Sequence, residues 1–349
     1  MNLPFIAPSD EIARVAAHAR WAACAHPLGS LGLLETVLED IAALTGSADI
    51  SLTPRTLLVF CADNGVVAQG VTQTGSEVTG IITRGLAQGT TSVCHMAKLA
   101  NCRVVPVDMG VRNFKQFPGV LDRRIGNGTG DITEGPAMTR AQAERAVQTG
   151  IDLVAAEKSR GTRLLATGEM GIGNTTTTSA VTAALLGLSP DAVTGRGAGL
   201  SDEGFNKKRN AVAKALRVNA PDPGDPLDVL AKVGGFDLAG LCGVFLGGAI
   251  HRIPVLMDGV ISVAAALCAV RLAPAAGQAI IATHRSAEKA SEFLLQALGK
   301  RPFITADMCL GEGTGAVAAI PLLDMARAVY AEGSSFENCG IPAYRSFRN

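Results

Sequence analysis

The sequence has no excess of either charge. Its 349 residues include 31 Lys and Arg against 31 Asp and Glu, so the formal net charge is zero. Proteins that bind nucleic acid or an anionic membrane surface carry a basic excess or patch. The balanced charge therefore gives no electrostatic reason to expect either partner.

Long hydrophobic runs are also missing. One of the longer apolar stretches, GVISVAAALCAV at residues 259–270, is bounded by Asp258 and Arg271. A helix that spans a bilayer needs roughly 20 apolar residues, so this stretch is too short. The N-terminal MNLPFIAPSDEIARV lacks a basic region followed by a long apolar stretch, and we expect no signal peptide.

None of the eight cysteines forms a CxxC pair. Several lie inside apolar runs such as LLVFCAD and AAALCAV, where a free thiol packs as a small hydrophobic group. This usage predicts reduced core cysteines in a cytoplasmic protein.

Short apolar runs that end in a polar or glycine cluster recur along the chain. Hydrophobic residues make up 48% of the sequence and charged residues 18%, which indicates a folded core. Near-continuous hydrophobicity is typical of strands buried on both faces of a parallel sheet. Helical segments such as 139–157 and 286–299 would cover those faces. The pattern predicts a doubly wound α/β fold whose strands are the runs at 56–65, 103–110, 163–171, 253–259, 279–286 and 303–313.

Two further segments complete the expected organisation. The first ~50 residues are predicted to be helical, with Ser9 as the cap of one helix and a glycine at the end of the next. Residues 112–137 have weak periodicity and many turn residues. A loop of this length in a compact domain is usually functional or mobile.

Polar residues follow the predicted strands at their carboxyl ends. In an open parallel sheet, this edge is where ligands bind. We therefore expect the following side chains to approach one site: Asp63, Asn64, Asp108, Glu169, Asp258, His284, Arg285 and Glu312.

GEMGIGNTTTTSA, residues 168–180, has glycines that lead into a helix whose first turn is rich in hydroxyls. Backbone N–H groups, threonine hydroxyls and the helix dipole can together bind a phosphate. The motif is neither a Walker A loop nor GxGxxG, and an ordinary threonine-capped helix start is the alternative. A second glycine cluster, GRGAGLSDEG, precedes Lys207, Lys208 and Arg209, which either reach a phosphate or form a solvated basic face.

Glu169 and Glu312 both lie between glycines. A carboxylate in a partly apolar glycine loop can have a raised pKa and act as a general base. Paired carboxylates also occur in glycosidases and metal sites, although neither motif supplies a close second metal ligand. The remaining alternative is that each glutamate caps a helix N-terminus. No Ser–His–Asp pattern or nucleophile elbow is visible.

Together, the segments resemble the nicotinate-nucleotide–dimethylbenzimidazole phosphoribosyltransferase family of cobalamin nucleotide-loop assembly. The resemblance covers nearly the whole chain and rests on motifs that occur in the same order. They are HPLGSLGLLE, CADNGVVAQGV with SEVT, VVPVDMGV, GTGDITEGPAMT, TGEMGIGNTTTTSA, GRGAGLSDEG, LMDGVISVAAA, THRSAEK and LGEGTGA.

The resemblance implies a Rossmann-like parallel sheet with helices on both faces in a large domain, residues 51–324. A small helical lobe would combine residues 1–50 with 325–349. The family also implies a homodimer that uses no metal or redox cofactor. Its reaction moves 5-phosphoribosyl from nicotinate mononucleotide to a lower-ligand base such as 5,6-dimethylbenzimidazole, which yields an α-ribotide and nicotinate.

Roles for individual residues follow from the same resemblance. Glu312 would be the general base, and Glu169 would lie near the ribose. The phosphate would be held by Gly171, Ile172, Gly173, Asn174, Thr175, Thr176, Thr177 and Lys208. The base pocket would include Gln73, Thr74, Glu77 and Leu310. Asp63, Asp258, Gly311 and Gly313 would form the site edge.

The chain departs from the family pattern near the base. Asn64 stands where the family commonly has histidine, and Cys309 stands where it commonly has arginine. TQTGSEVT replaces the tyrosine–proline version associated with dimethylbenzimidazole users. The native base therefore stays open, and purines or phenolic compounds are alternatives. A nucleotide-binding regulatory protein that has lost catalysis is a further alternative, which retention of both glutamates disfavours.

Overall fold

A computed structural model describes residues 1–345 and contains a six-stranded, all-parallel sheet with the strand order β3-β2-β1-β4-β5-β6. The chain starts at the centre with β1, builds outward through β2 and β3, and then returns to β4 on the other side of β1. The strands are β1 Arg55–Ala62, β2 Arg103–Gly110, β3 Leu121–Asp122, β4 Leu164–Met170, β5 Val255–Met257 and β6 Ile280–Ala282.

Helices cover both faces of this sheet, which confirms the predicted fold class. In β1, Leu58 and Phe60 face one hydrophobic core, whereas Leu57 and Val59 face the other. The α-helices are α1 Glu11–Ala23, α2 Leu33–Thr45, α3 Glu77–Gln88, α4 Ser92–Leu99, α5 Arg140–Ser159, α6 Asn174–Leu186, α7 Pro190–Val193, α8 Asp202–Asn219, α9 Pro226–Val233, α10 Phe236–His251, α11 Val260–Leu272, α12 Ala290–Leu298, α13 Thr314–Glu332 and α14 Phe336–Cys339. Short 3₁₀ turns occupy Gly65–Gln69 and Pro274–Ala279.

The prediction of a strand at 303–313 is wrong. This segment makes a single parallel bridge, between Ile304 and His284, and then continues as irregular chain into α13. Asp307 has φ +49°, and residues 311–313 all have positive φ. Left-handed backbone cannot continue a strand, so the apolar–polar pattern here belongs to a loop.

One local prediction also needs correction. Asp10, not Ser9, caps α1, because its Oδ1 accepts from the Ala13 N–H at 3.0 Å while the Ser9 hydroxyl donates to Gln278. The unassigned segment 112–137 contains β3, and the Arg124 guanidinium donates to Asp108 Oδ2 at 2.7 Å. The segment is thus tied to the end of β2.

The N-terminal helices pack on α13. Trp21 of α1 meets Tyr330 of α13 edge-on at 5.1 Å between ring centroids, and the Tyr330 hydroxyl donates to the Ala48 carbonyl at 2.7 Å. Their apolar side chains share a core with Leu57 and Val59 of β1. The division into a lobe of residues 1–50 with 325–349 and a large domain of 51–324 stays a prediction, and residues 346–349 of that lobe lie outside the described chain.

Within residues 1–345, no helix has both the length and the apolar character needed to cross a bilayer.

Candidate active site

A cavity of about 280 Å³ opens at the carboxyl edge of the sheet. Its walls come from the segments after β1, β4, β5 and β6, from residues 196–200 with Lys208 of α8, and from the segment before α13. Thirteen residues named as site candidates from the sequence line it: Gln73, Thr74, Glu169, Gly171, Ile172, Gly173, Asn174, Thr175, Lys208, His284, Leu310, Gly311 and Glu312.

The other candidate site residues do not line this cavity. Thr176 and Thr177 are fully buried inside α6. Glu77 is exposed, and its carboxylate lies against Gly75. Asp63, Asp258 and Gly313 are buried or lie behind the wall.

The described chain has no group of three or more His, Cys, Asp or Glu side chains placed to hold a metal ion.

The Glu312 loop depends on left-handed backbone. Glu312 itself has φ +60°, between Gly311 at +86° and Gly313 at +92°. Its Oε2 lies 3.5 Å from the Val93 N–H in the first turn of α4, a long hydrogen bond to the positive end of that helix. The loop thus presents a carboxylate to the cavity from a strained, well-defined turn.

Asp258 holds this loop in place. One of its carboxylate oxygens accepts from Gly313 at 3.1 Å, and the other accepts from Gly315 at 2.8 Å and Ala316 at 3.1 Å. Asp258 therefore satisfies three backbone donors at the start of α13. This carboxylate, and not Glu312, caps the helix.

Glu169 is 6% exposed and lies at the end of β4. Burial, followed by the negative charges of Asp237 and Asp258, raises the pKa of Glu169 to about 8, although a hydrogen bond from Asn174 opposes the rise. A β-carbon at Gly311 would stand 2.8 Å from Glu169 Oε1, so the two glycine loops touch. The expectation that both glutamates project from one edge is thereby met.

Lys208 is only 1% exposed, although it lies on the charged helix α8. Its Nζ donates to Thr175 Oγ1 at 2.8 Å, and burial lowers the pKa of its ammonium to about 8, with the Glu288 carboxylate acting in the opposite direction. No carboxylate within residues 1–345 lies at ion-pair distance from it. By contrast, Lys207 is exposed and pairs with Glu203 at 2.7 Å. The first turn of α6 and Lys208 thus bring helix N–H groups, a hydroxyl and an ammonium together at one end of the cavity, an arrangement that can bind an anion.

The cavity wall is completed by residues that sequence patterns did not assign to the site. Gln73 Nε2 donates to the carbonyls of Ala198, at 3.2 Å, and Gly199, which links the segment after β1 to the GRGAGL cluster. Further lining residues include Arg196, Ala198, Leu200, Val260, Ser286 and Glu288. The glycines of GRGAGL are the one sequence signal that marks part of this wall.

Comparisons with known proteins agree with this architecture. A model of the family described as phosphoribosyltransferase matches residues 6–341. A protein of Acetivibrio thermocellus, named nicotinate-nucleotide–dimethylbenzimidazole phosphoribosyltransferase, is 44% identical over 91% of each chain. A protein of the same name from Roseiflexus is 44% identical over 96% of each chain.

Solved structures give the same result. The crystal structure of CobT from Thermus thermophilus superposes with a TM-score of 0.90 at 40% identity, and the match covers 95% of this chain and 100% of that one. The fold, the sequence and the family model therefore agree, and this chain belongs to the phosphoribosyltransferase family.

Proposed function

We propose that this enzyme transfers 5-phosphoribosyl from nicotinate mononucleotide to 5,6-dimethylbenzimidazole or a related base. The products are an α-ribotide, for cobalamin or cobamide synthesis in the cytoplasm, and nicotinate. One observation carries the proposal: a buried lysine with no ion-pair partner within residues 1–345 lies beside a helix N-terminus and shares one cavity with two carboxylates held in glycine loops. The names of the relatives supply the substrates.

The Lys208 end of the cavity suits the nucleotide phosphate. Gly173, with φ +92°, is the N-cap of α6, and a β-carbon there would stand 2.9 Å from the Val67 side chain. The absence of a side chain lets backbone N–H groups at the helix start approach an anion closely. Thr175 and Lys208 add a hydroxyl and a positive charge to the same place.

Glu169 is proposed to act near the ribose. Nicotinate is joined to C1′ through a positively charged ring nitrogen, so the bond breaks with its electron pair going to nitrogen, and nicotinate leaves as a neutral pyridine. This departure needs no acid. Positive charge develops on the ribose, and a nearby carboxylate stabilises it. The cationic substrate itself favours the ionised form of Glu169, whose pKa is about 8 before the nucleotide binds.

Glu312 is proposed as the general base. A benzimidazole ring nitrogen attacks C1′ from the face opposite nicotinate, which inverts the β-linked nucleotide to an α-ribotide. Attack leaves a positive charge on the new base unless its other ring nitrogen loses a proton. Glu312 accepts that proton, and no second base is needed. Gln73, Thr74 and Leu310 line the cavity and are proposed to contact the base.

A homodimer is part of the proposal. Large apolar side chains in the N-terminal segment are exposed, with Phe5 at 85% and Ile12 at 84%. An interface between two copies of the chain would bury apolar groups of this kind. Light scattering on the purified protein would measure the oligomeric state directly.

Incubation of the purified protein with nicotinate mononucleotide and separate bases would test the function. We expect release of nicotinate and formation of an α-ribotide with dimethylbenzimidazole, resolved by liquid chromatography and NMR. Product with adenine or a phenol alone would favour the alternative bases. Nucleotide binding without product from any base would instead identify a non-catalytic nucleotide-binding protein.

A further inference from the structure

Asp237 is a fully buried carboxylate beneath the cavity. It occupies the first turn of α10 and does not line the cavity itself. Its Oδ2 accepts from Asn174 Nδ2 at 3.2 Å, and the same nitrogen donates to Glu169 Oε2. One amide nitrogen thus connects a deep carboxylate to a carboxylate that faces the cavity.

The packing around Asp237 leaves it little freedom. Its Oδ1 accepts from the Leu238 N–H at 2.9 Å. A β-carbon at Gly171 would stand 3.0 Å from Oδ2, and one at Gly235 would overlap Oδ1. Two glycines therefore make the space that this carboxylate fills, and its orientation is fixed by contacts on both oxygens.

We propose that Asp237 is a positioning residue for Glu169, acting through the side-chain amide of Asn174. With its Nδ2 held by Asp237, Asn174 keeps the Glu169 carboxylate in one orientation toward the ribose. This inference rests on the proposed function for the role of Glu169, although the link between the three side chains stands by itself.

The charges around Glu169 make this link electrostatic as well as geometric. Negative groups face Glu169 from three other elements: Asp237 in α10, Asp258 after β5 and Glu312 before α13. Against these negative charges, the Asn174 side chain donates a hydrogen bond to the Glu169 carboxylate. Burial raises the pKa of Asp237 to about 6, with a smaller contribution in the same direction from Asp63, so Asp237 ionises before Glu169 does. Its charge then helps to keep Glu169 protonated until a cationic substrate binds.

Carbon-13 NMR of protein labelled at the glutamate side-chain carboxyls would follow the Glu169 titration, with Glu169→Gln used for assignment. Asp237→Asn retains an oxygen that can accept from Asn174 but removes the charge. We expect the Glu169 titration to move to lower pH by roughly one unit. Glu157→Gln is the matched control, because Glu157 is also a buried carboxylate but binds Thr56 and Arg103. It should leave the Glu169 titration unchanged.

Asn174→Ala should shift the Glu169 titration in the opposite direction. Loss of its hydrogen bond should move the Glu169 titration to higher pH, because that bond lowers the pKa of Glu169. This variant tests the bond between Asn174 and Glu169. If Asp237→Asn does not fold, as judged by thermal melting, Asp237→Ala takes its place in the titration. An unchanged Glu169 titration in a folded variant of either kind overturns the proposal.

Kinetics separate positioning from general structural support. Asp237→Asn should move the acid limb of kcat/KM to lower pH, in parallel with the NMR titration. Asp237→Ala should lower kcat by roughly tenfold or more while the nucleotide KM stays within about twofold, since misplaced catalytic groups cost turnover before binding. If the unmodified enzyme forms no product from nicotinate mononucleotide, the proposed function fails, whereas the NMR titration still decides the role of Asp237.

Discussion

The backbone of Glu312 lies directly against Gly168. A β-carbon at Gly168 would stand 2.5 Å from the Glu312 carbonyl oxygen, too close for any side chain. The glycine before Glu169 therefore sets the position of the loop that carries Glu312. The two glycine motifs therefore pack against each other, with β4 against the chain before α13.

Gly168→Ala should therefore displace the Glu312 loop. Because an error of about 1 Å in a catalytic group can cost ~100-fold in rate, we expect kcat to fall by this order. Gly135→Ala is the matched control, since Gly135 has no neighbouring atom within 4 Å of its β-carbon position and its φ is not positive. Equal kcat values for the two variants would show that the contact with Gly168 does not matter for catalysis.

Glu312→Gln should preserve the fold and the affinity for the nucleotide but lower turnover. General-base catalysis typically contributes ~10²–10⁴-fold, and the amide cannot accept the proton. Turnover at saturating concentrations of both substrates, with nucleotide affinity from calorimetry, would measure this split. Turnover equal to that of the unmodified enzyme would remove Glu312 from the mechanism.

Nucleotide affinity should depend on the charge of Lys208. The ammonium is charged below its pKa of about 8, so affinity should hold near neutral pH and fall as the pH rises through 8. Lys208→Ala should weaken nucleotide binding more than base binding and abolish this alkaline limb. Lys207→Ala is the control, because Lys207 is exposed on the same helix. Calorimetry across pH would measure these affinities. Normal nucleotide binding by the Lys208 variant would mean that the phosphate binds elsewhere.

Asp258→Ala should destabilise the start of α13. It leaves three backbone donors without their acceptor, at a cost of about 2 kcal/mol in the free energy of unfolding. Asp258→Asn keeps a capping oxygen and should retain most of the stability. Denaturant unfolding would compare the two variants, and equal losses would mean that charge, not capping, is what Asp258 contributes.

The base pocket should accept several bases with modest preference. Gln73 and Thr74 are polar, and a missing methylene changes selectivity by only ~1–3 kcal/mol in the absence of a rejecting contact. Competition between equimolar benzimidazole, dimethylbenzimidazole, adenine and a phenol would test this. Exclusive use of dimethylbenzimidazole, by ~10³-fold or more in kcat/KM, would require a rejecting contact and contradict the hypothesis.

The sequence predicted the sheet well because buried parallel strands have a distinctive pattern. β1, β2 and β4 all coincide with near-continuous apolar runs, and their polar ends mark the ligand edge. The run at 303–313 has the same pattern but forms a loop, since positive φ at a non-glycine residue such as Glu312 has no signature in hydrophobicity.

The site was predictable only in part. Lys208 could have been separated from Lys207 by helix phase, because it shares a buried face with Ala211 and Val212. For Asp237, the sequence offers no comparable pattern. It is one acidic residue in a long apolar helix, and its importance depends on a contact with Asn174, which is distant in the chain.

The contact between Glu312 and Val93 joins residues 219 apart in the chain, whereas the bond between Lys208 and Thr175 joins residues 33 apart. Contacts between distant residues form slowly, because the entropy of closing a long loop opposes them. During synthesis, Thr175 and Lys208 emerge from the ribosome before the segment that carries Glu312. We therefore expect the end of the cavity that holds Glu312 to assemble last, and the appearance of turnover during refolding would report the completion of the whole domain.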